Sequence, residues 1–318
     1  MIMETRGDLR KLVTGIDIGG TNTVIGFADA GGNCLYKTSL GTADYEDPAV
    51  FVKDVAGIIV DFFQKNDDTY LIGIGIGAPN GNFYNGSIEF APNLKWKGVV
   101  PLVDLFKKYF NVPVTLTNDA NAAAIGEMVY GNAKGMKHFI EFTLGTGVGS
   151  GIVVDGKMVY GHDGCAGELG HAIIFPGGRT CGCGRQGCLE AYCSAKGIVT
   201  TFLELLENEG RKPDGKITPY AISELASKGD HAAIKTFEFT GEVLGLAISN
   251  SVTYTSPEAI FIFGGIANAG ELLLKPIRDS FEKNLLGVYK NKIKIMPSGI
   301  KENDAAILGA ASLIWQNY

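Results

Sequence analysis

Between Gly167 and Glu190 the chain reads GELGHAIIFPGGRTCGCGRQGCLE, which puts His171, Cys181, Cys183 and Cys188 at metal-ligand spacing. One imidazole and three thiolates are the four-ligand set of a closed structural zinc site. Glycines 182, 184 and 187 let so short a loop wrap a tetrahedral ion. Two carboxylates, Glu168 and Glu190, bracket the cluster. A metal there would hold two chain segments rigid, and with them whatever Glu168, His171 and Glu190 face. The plain alternative is a reduced, metal-free loop with an incidental histidine, and the spacing argues against it. Cys34, Cys165 and Cys193 read as ordinary small side chains, and His138, His162 and His231 receive no role.

Two glycine turns carry a second kind of chemistry. Asp17-Ile18-Gly19-Gly20-Thr21-Asn22-Thr23 joins a strand to a hairpin. Its glycines let backbone N–H groups approach phosphate, Thr21 and Thr23 offer hydroxyl donors, and Asp17 can hold Mg²⁺ through water. Leu144-Gly145-Thr146-Gly147-Val148-Gly149 repeats the idea later in the chain. Each alone reads equally well as a hairpin turn, but two in matching halves could grip the two ends of one triphosphate. No Gly-Lys-Ser/Thr follows either, so neither is a Walker loop. Asn118-Asp119 closes a strand and opens a helix, where an aspartate is most often an N-cap. Its chemical reading is a general base that takes a proton from an attacking hydroxyl, as phosphoryl transfer requires.

The elements that must position these groups follow from periodicity. Lys11–Asp17, Leu71–Ala78 and Val114–Thr117 read as strands, and Thr23–Asp29 with Cys34–Leu40 as a hairpin. Pro48–Gln64, Val99–Phe110 and Ala120–Tyr130 read as helices. The pattern then restarts. His138–Thr143 is a strand, Gly151–Val154 and Lys157–Tyr160 flank the hairpin signal Asp155-Gly156, and helices follow near Lys196–Glu209 and His231–Val252. Ala259–Phe263 and Lys292–Met296 read as strands around a further helix, and Asn303 or Asp304 can cap a last helix through Trp315. The fold class is α/β, with two halves that each begin on a strand, a glycine turn and a hairpin.

Composition excludes several classes. The 318 residues are 46% hydrophobic and 19% charged with a net charge of −6, and no basic tract offers a nucleic-acid surface. No apolar run approaches the roughly 18–20 residues of a membrane span. MIMETRGDLR at the start is charged and lacks the apolar core of a signal peptide. The expectation is a cytoplasmic protein whose six cysteines stay reduced, which again favours metal over disulfides.

Taken together, DIGGTNT (17–23), NDANAAAIGE (118–127), LGTGVGSGIVVDG (144–156), GELGH (167–171), CGCGRQGCLE (181–190), IFGGIA (262–267) and NDAAILGAA (303–311) resemble the ROK family of sugar kinases over nearly the whole chain. The resemblance implies the actin-like ATPase (ribonuclease H-like) fold, two α/β domains flanking a cleft. The smaller would hold 1–120 plus 300–318, and the larger would hold 121–299 with the zinc motif. It implies a homodimer or homotetramer. By position, Asp119 matches the catalytic base, and Asn118, Glu168, His171 and Glu190 match residues that bind sugar hydroxyls. His171 would serve Zn²⁺ through one ring nitrogen and sugar through the other. Asn93 and Gly81 lie where further sugar contacts are made. Asp17, Gly19, Gly20, Thr21 and Thr23 match one phosphate loop for ATP with Mg²⁺, Gly145, Thr146 and Gly147 match the other, and Gly264 and Gly265 match the adenosine-side turn.

The family often reads proline-glycine after its third strand, whereas this chain reads Ala78-Pro79-Asn80-Gly81, a departure next to the sugar. Only about a dozen residues precede the first strand, fewer than a helix-turn-helix domain needs. The implied activity is an ATP-dependent hexokinase acting on the 6-hydroxyl of glucose or a close relative. The alternatives are a kinase for N-acetylmannosamine, N-acetylglucosamine or fructose, and a sugar-sensing regulator without catalysis.

Overall fold

The structure, a computed structural model, describes residues 9–318, the side chains of 302 and 303 excepted. The expectation of no leader in the first ten residues and that of Asn303 as a cap therefore fall outside the described residues. The chain forms two compact units. One holds residues up to 135, a return at 160–166, and 299–318; the other holds 136–159 and 167–298.

In the first unit, β1 (Arg10–Ile18), β2 (Asn22–Ala28) and β3 (Cys34–Gly41) form an antiparallel meander, followed by α1 (Pro48–Lys65) and β4 (Thr69–Gly77). A small sheet of β5 (Gly81–Asn82), β6 (Ser87–Glu89) and β7 (Val99–Val100) precedes α2 (Leu102–Lys107), β8 (Val114–Thr117) and α3 (Asp119–Tyr130). In the second unit, β9 (Phe139–Leu144), β10 (Val148–Val154) and β11 (Lys157–Met158) form another meander. The helices α4 (Glu190–Cys193), α5 (Ala195–Asn208), α6 (Pro219–Ser227) and α7 (His231–Thr255) lead to β12 (Ala259–Phe263), α8 (Glu271–Asn284) and β13 (Lys294–Pro297). The closing helix α9 (Glu302–Trp315) returns to the first unit.

The two main sheets share one topology. The first runs β3-β2-β1-β4-β8 and the second β11-β10-β9-β12-β13, so that, numbered within each sheet, both read 3-2-1-4-5. In each, the first three strands are antiparallel neighbours and the last two add in parallel. The two glycine turns thus fall at equivalent points, between the first and second strands. The duplication suggested by the sequence is present in the hydrogen-bond ladders.

Local sequence explains most boundaries. Asp47 caps α1 and Pro48 occupies its first turn, and Thr218 with Pro219 does the same for α6. Asp155 and Gly156 both have positive φ, the conformation a two-residue β10–β11 hairpin needs. Val99–Phe110 is helical only over Leu102–Lys107, because Pro101 ends the β7 strand and fixes the helix entry. α9 begins beyond Lys301, which makes no side-chain cap, so Asp304 lies inside the first turn and pairs with Lys37.

One face of the first sheet is apolar: Leu12, Ile16, Ile74 and Ile76 pack with Phe51, Val55 and Phe106 of α1 and α2. The other face is floored with glycine. A Cβ on Gly75 would stand 1.8 Å from the carbonyl oxygen of Ala310, and one on Gly15 2.2 Å from that of Ile307. α9 therefore lies against bare sheet backbone, with α3 beside it through Gly126 and Gly309. Where a boundary at 120 was expected, the first unit runs on through α3, because α3 is packed on α9. Gly75→Ala is expected to destabilise the protein by about 3 kcal/mol or more, the upper range for overpacking a site with no flexible neighbour. An unchanged urea midpoint would refute this.

Candidate active site

The strand β8 delivers Asn118 and Asp119 to the start of α3. Asn118, not Asp119, is the cap: its Oδ1 accepts the N–H of Asn121 at 2.7 Å. Asp119 is left as the first helical residue, reached by solvent yet enclosed by neighbouring protein, with one oxygen accepting the N–H of Ala120 at 2.8 Å. The commonest structural use of an aspartate at this point is thereby filled by its neighbour. Protein packed around Asp119 raises its carboxyl pKa, against the pull of the Ala120 N–H.

Strand parity puts Asp17 on the face of β1 that carries Gly15, and a Cβ on Gly77 would meet Asp17 Oδ1 at 3.5 Å and Asp119 Cα at 3.8 Å. Asp17 is pushed up to about 6, first by burial and then by the charge of Asp119. A carboxyl with a raised folded pKa stabilises the fold only while protonated. That contribution is present below about pH 4 and is lost as the pH rises through 6. Asp17→Asn should therefore raise the melting temperature at pH 7.5 by a few degrees and leave it unchanged near pH 3.5. A lower melting temperature at pH 7.5 would contradict this.

The first glycine turn closes with the Gly19 N–H on the Asn22 carbonyl at 2.9 Å. Thr21 is exposed there, but Thr23 is not available to a phosphate: it is fully buried on β2, and its hydroxyl bonds that of Thr42 at 2.7 Å. Period-two alternation turns Thr23 inward and Asn22 out. Asn93 is exposed and leans on this turn, since a Cβ on Gly20 would meet the Asn93 carbonyl at 2.7 Å. Gly81 is buried, donates its N–H to Ala78, and lies against the Thr117 carbonyl, where a Cβ would be 2.4 Å away. Its observed role is to let the small sheet approach β8.

In the second unit the ligand atoms of His171, Cys181, Cys183 and Cys188 all lie within 4.8 Å of one another. Cys181 Sγ is 3.6 Å from His171 Nδ1, and Cys183 Sγ is 3.7 Å from Cys188 Sγ. A tetrahedral zinc ion with bonds of about 2.3 Å to sulfur and about 2.1 Å to nitrogen spans edges of about 3.8 and about 3.6 Å. The cluster fits such an ion. Cys183 is drawn down to about 6, first by the Arg185 main-chain N–H, while burial pushes Cys181 up to about 12. Nδ1 of His171 faces the sulfurs, which leaves Nε2 as the nitrogen for another partner.

Glu168 is exposed just before the single helical turn Leu169–His171, and Glu190 opens α4. One oxygen of Glu190 accepts the N–H of Val148 at 3.1 Å, and the other lies 3.4 Å from Cys181 Sγ. The second glycine turn closes with the Gly145 N–H on the Gly147 carbonyl at 3.0 Å, and Gly145 and Thr146 are exposed. Gly264, with φ of 102°, is forced onto the Leu144 carbonyl (2.3 Å from a would-be Cβ), and Gly265 opens the next helical turn.

The sequence did not mark Arg179. Its guanidinium bonds the carbonyls of Ala191 and Gly197 and the Thr201 hydroxyl, pairs with Glu204, and sits 4.9 Å from the Tyr192 ring centre. It ties the entry of the metal loop to α4 and α5. These partners lie 12 to 25 residues onward, so no local spacing reveals them.

This fold and these turns are those of a known group of proteins. The chain belongs to the ROK family, whose model matches residues 13–317. It is 34% identical over 315 residues to a glucokinase of Halalkalibacterium halodurans, covering 95% of this chain and 94% of the relative. A ROK family glucokinase of Streptomyces griseus, solved in complex with glucose and AMPPNP, superposes with a TM-score of 0.79 at 32% identity, covering 96% of this chain and 99% of that one. A xylose repressor of Caldicellulosiruptor bescii is 28% identical, covering 99% of this chain and 80% of the relative. The fold is the actin-like ATPase fold of ROK sugar kinases. Among the described residues no helix is long and apolar enough to cross a membrane.

Proposed function

We propose that this protein is an ATP-dependent sugar kinase, a hexokinase that phosphorylates the 6-hydroxyl of glucose or a closely related hexose. The observation that carries this reading is the pair at the head of α3: Asn118 takes the cap and frees Asp119, whose pKa is raised toward the range of a useful base. Asp119 accepts the proton of the sugar hydroxyl as its oxygen attacks the γ-phosphorus. The bond from that phosphorus to the bridging oxygen breaks, and ADP leaves with the electron pair. Asn118 Nδ2, Glu168, His171 Nε2 and Glu190 hold the other hydroxyls, and Asn93 adds a contact. Gly19, Gly20 and Thr21 of the first unit and Gly145, Thr146 and Gly147 of the second receive phosphate, and Gly264-Gly265 flank the adenosine.

Mg²⁺, when bound, would supply neutralisation of the charge that develops on the phosphates. Asp17 would hold it. Zinc in the Cys/His cluster would fix the tautomer of His171 and brace Glu190, and takes no part in the transfer. The enzyme is read as cytoplasmic and as a homodimer or homotetramer.

ADP release measured over a panel of glucose, mannose, fructose, N-acetylmannosamine and N-acetylglucosamine tests the reading. Glucose or a near relative should give the highest kcat/KM, and a preference for an N-acetylated sugar would move the assignment within the family. Hexose binding without ATP consumption would instead establish a sugar-sensing regulator.

A further inference from the structure

The second glycine turn and the carboxylate wall of the second unit meet in one residue, Val148. Its N–H is taken by Glu190 at 3.1 Å, and its carbonyl presses on Gly170, between Glu168 and His171, where a Cβ would be 1.8 Å away. On the other side of the turn the Gly145 carbonyl accepts the N–H of Ala195 at the start of α5 at 2.9 Å. A Cβ on Gly147 would stand 2.6 Å from Oε2 of Glu190, so a side chain there requires that carboxylate to shift. Val148 is itself 5% exposed, so these contacts are made without solvent between them.

We propose that Glu190, besides its contact with sugar, is a positioning residue for the nucleotide turn, and that Val148 couples the two ligands. The proposal rests on the kinase reading above for what the turn and the wall bind. A carboxylate bonded to a main-chain N–H is a strong, directional tether, so displacing Glu190 displaces the turn, and displacing the turn displaces Glu190. Binding coupling of this kind is reciprocal: whatever the sugar does to nucleotide affinity, the nucleotide does to sugar affinity.

Two crossed measurements test it, each made by calorimetry on the full protein with one ligand absent. Gly147→Ala, a change in the nucleotide turn, should weaken glucose binding about tenfold with no nucleotide present, the loss expected for one hydrogen bond to a charged group. Glu190→Gln, a change in the wall, should weaken AMPPNP binding several-fold with no sugar present. Wild-type glucose affinity in Gly147→Ala, or wild-type AMPPNP affinity in Glu190→Gln, overturns the coupling. If Gly147→Ala fails to fold, the Glu190→Gln titration decides alone. A wild-type protein that binds neither ligand fails the kinase reading instead, and the two failures are distinct.

Discussion

Asp119→Ala should turn over about 10²- to 10⁴-fold more slowly than the wild type, with glucose and ATP still bound and the melting temperature little changed. A positioned base contributes a factor of that order, and Asp119 is the group in the first unit placed to supply it. The stability part of this expectation has a physical basis. Asn118 makes the cap bond, so helix α3 keeps its N-terminal anchor when Asp119 is lost. What disappears is one weak bond to Ala120 and a favourable position at the helix N-terminus, offset by relief of a desolvated charge. The pH profile gives a second readout. A base works only when ionised, so activity must fall as the pH drops through its pKa, and the raised pKa sets that acid limb above the ordinary carboxylate range. The residual activity of Asp119→Ala should lack the limb. Near-normal turnover in the variant would sink the assignment of the base.

Loss of the metal should be nearly as damaging, through binding instead of chemistry. Elemental analysis of the pure protein is expected to give about one zinc per chain. Cys188→Ser should lose that zinc and a large part of the stability, since Cys188 is fully buried. The sugar KM should rise by about 10–100-fold, the range seen when supports of a metal site are removed. The ligand His171 is itself read as a sugar contact, and Cys181 touches Glu190. Full activity in metal-free protein would show that Arg179 and the main-chain bonds hold the wall unaided.

Much of this could be read from the residues, for identifiable reasons. The strands that lead into the glycine turns are rich in apolar residues (Leu12, Val13, Ile16 and Ile18; Phe139, Ile140, Phe142 and Leu144), and the Cys/His spacing is too specific to arise from packing. The cap at Asn118 was hidden because two adjacent residues were both capable of it, and only the direction of the backbone decides between them. Thr23 was misplaced by motif, though period-two alternation along β2 already turns it inward. The small sheet over Gly81–Val100 and the helix α6 left weak signals, since two-residue strands and a nine-residue helix carry too few turns of periodicity. Arg179 and the contacts of Val148 escaped. Their importance lies in contacts across the fold, which no spacing encodes.

The glycine floor beneath α9 has a consequence for how the protein is made. A ribosome releases β1 to α3 first and α9 last, with more than a hundred residues of the second unit between them. Throughout that interval the nascent first sheet exposes the backbone of Gly15, Gly73 and Gly75, with no side chains to shield it. The second unit holds 136–159 and 167–298, so it has all its strands before α9 emerges. Synthesis order and folding order are thus opposed: the half that starts first finishes last. A nascent chain arrested near residue 300 should present protease-sensitive sites in the first unit alone, and release of the final twenty residues should close them.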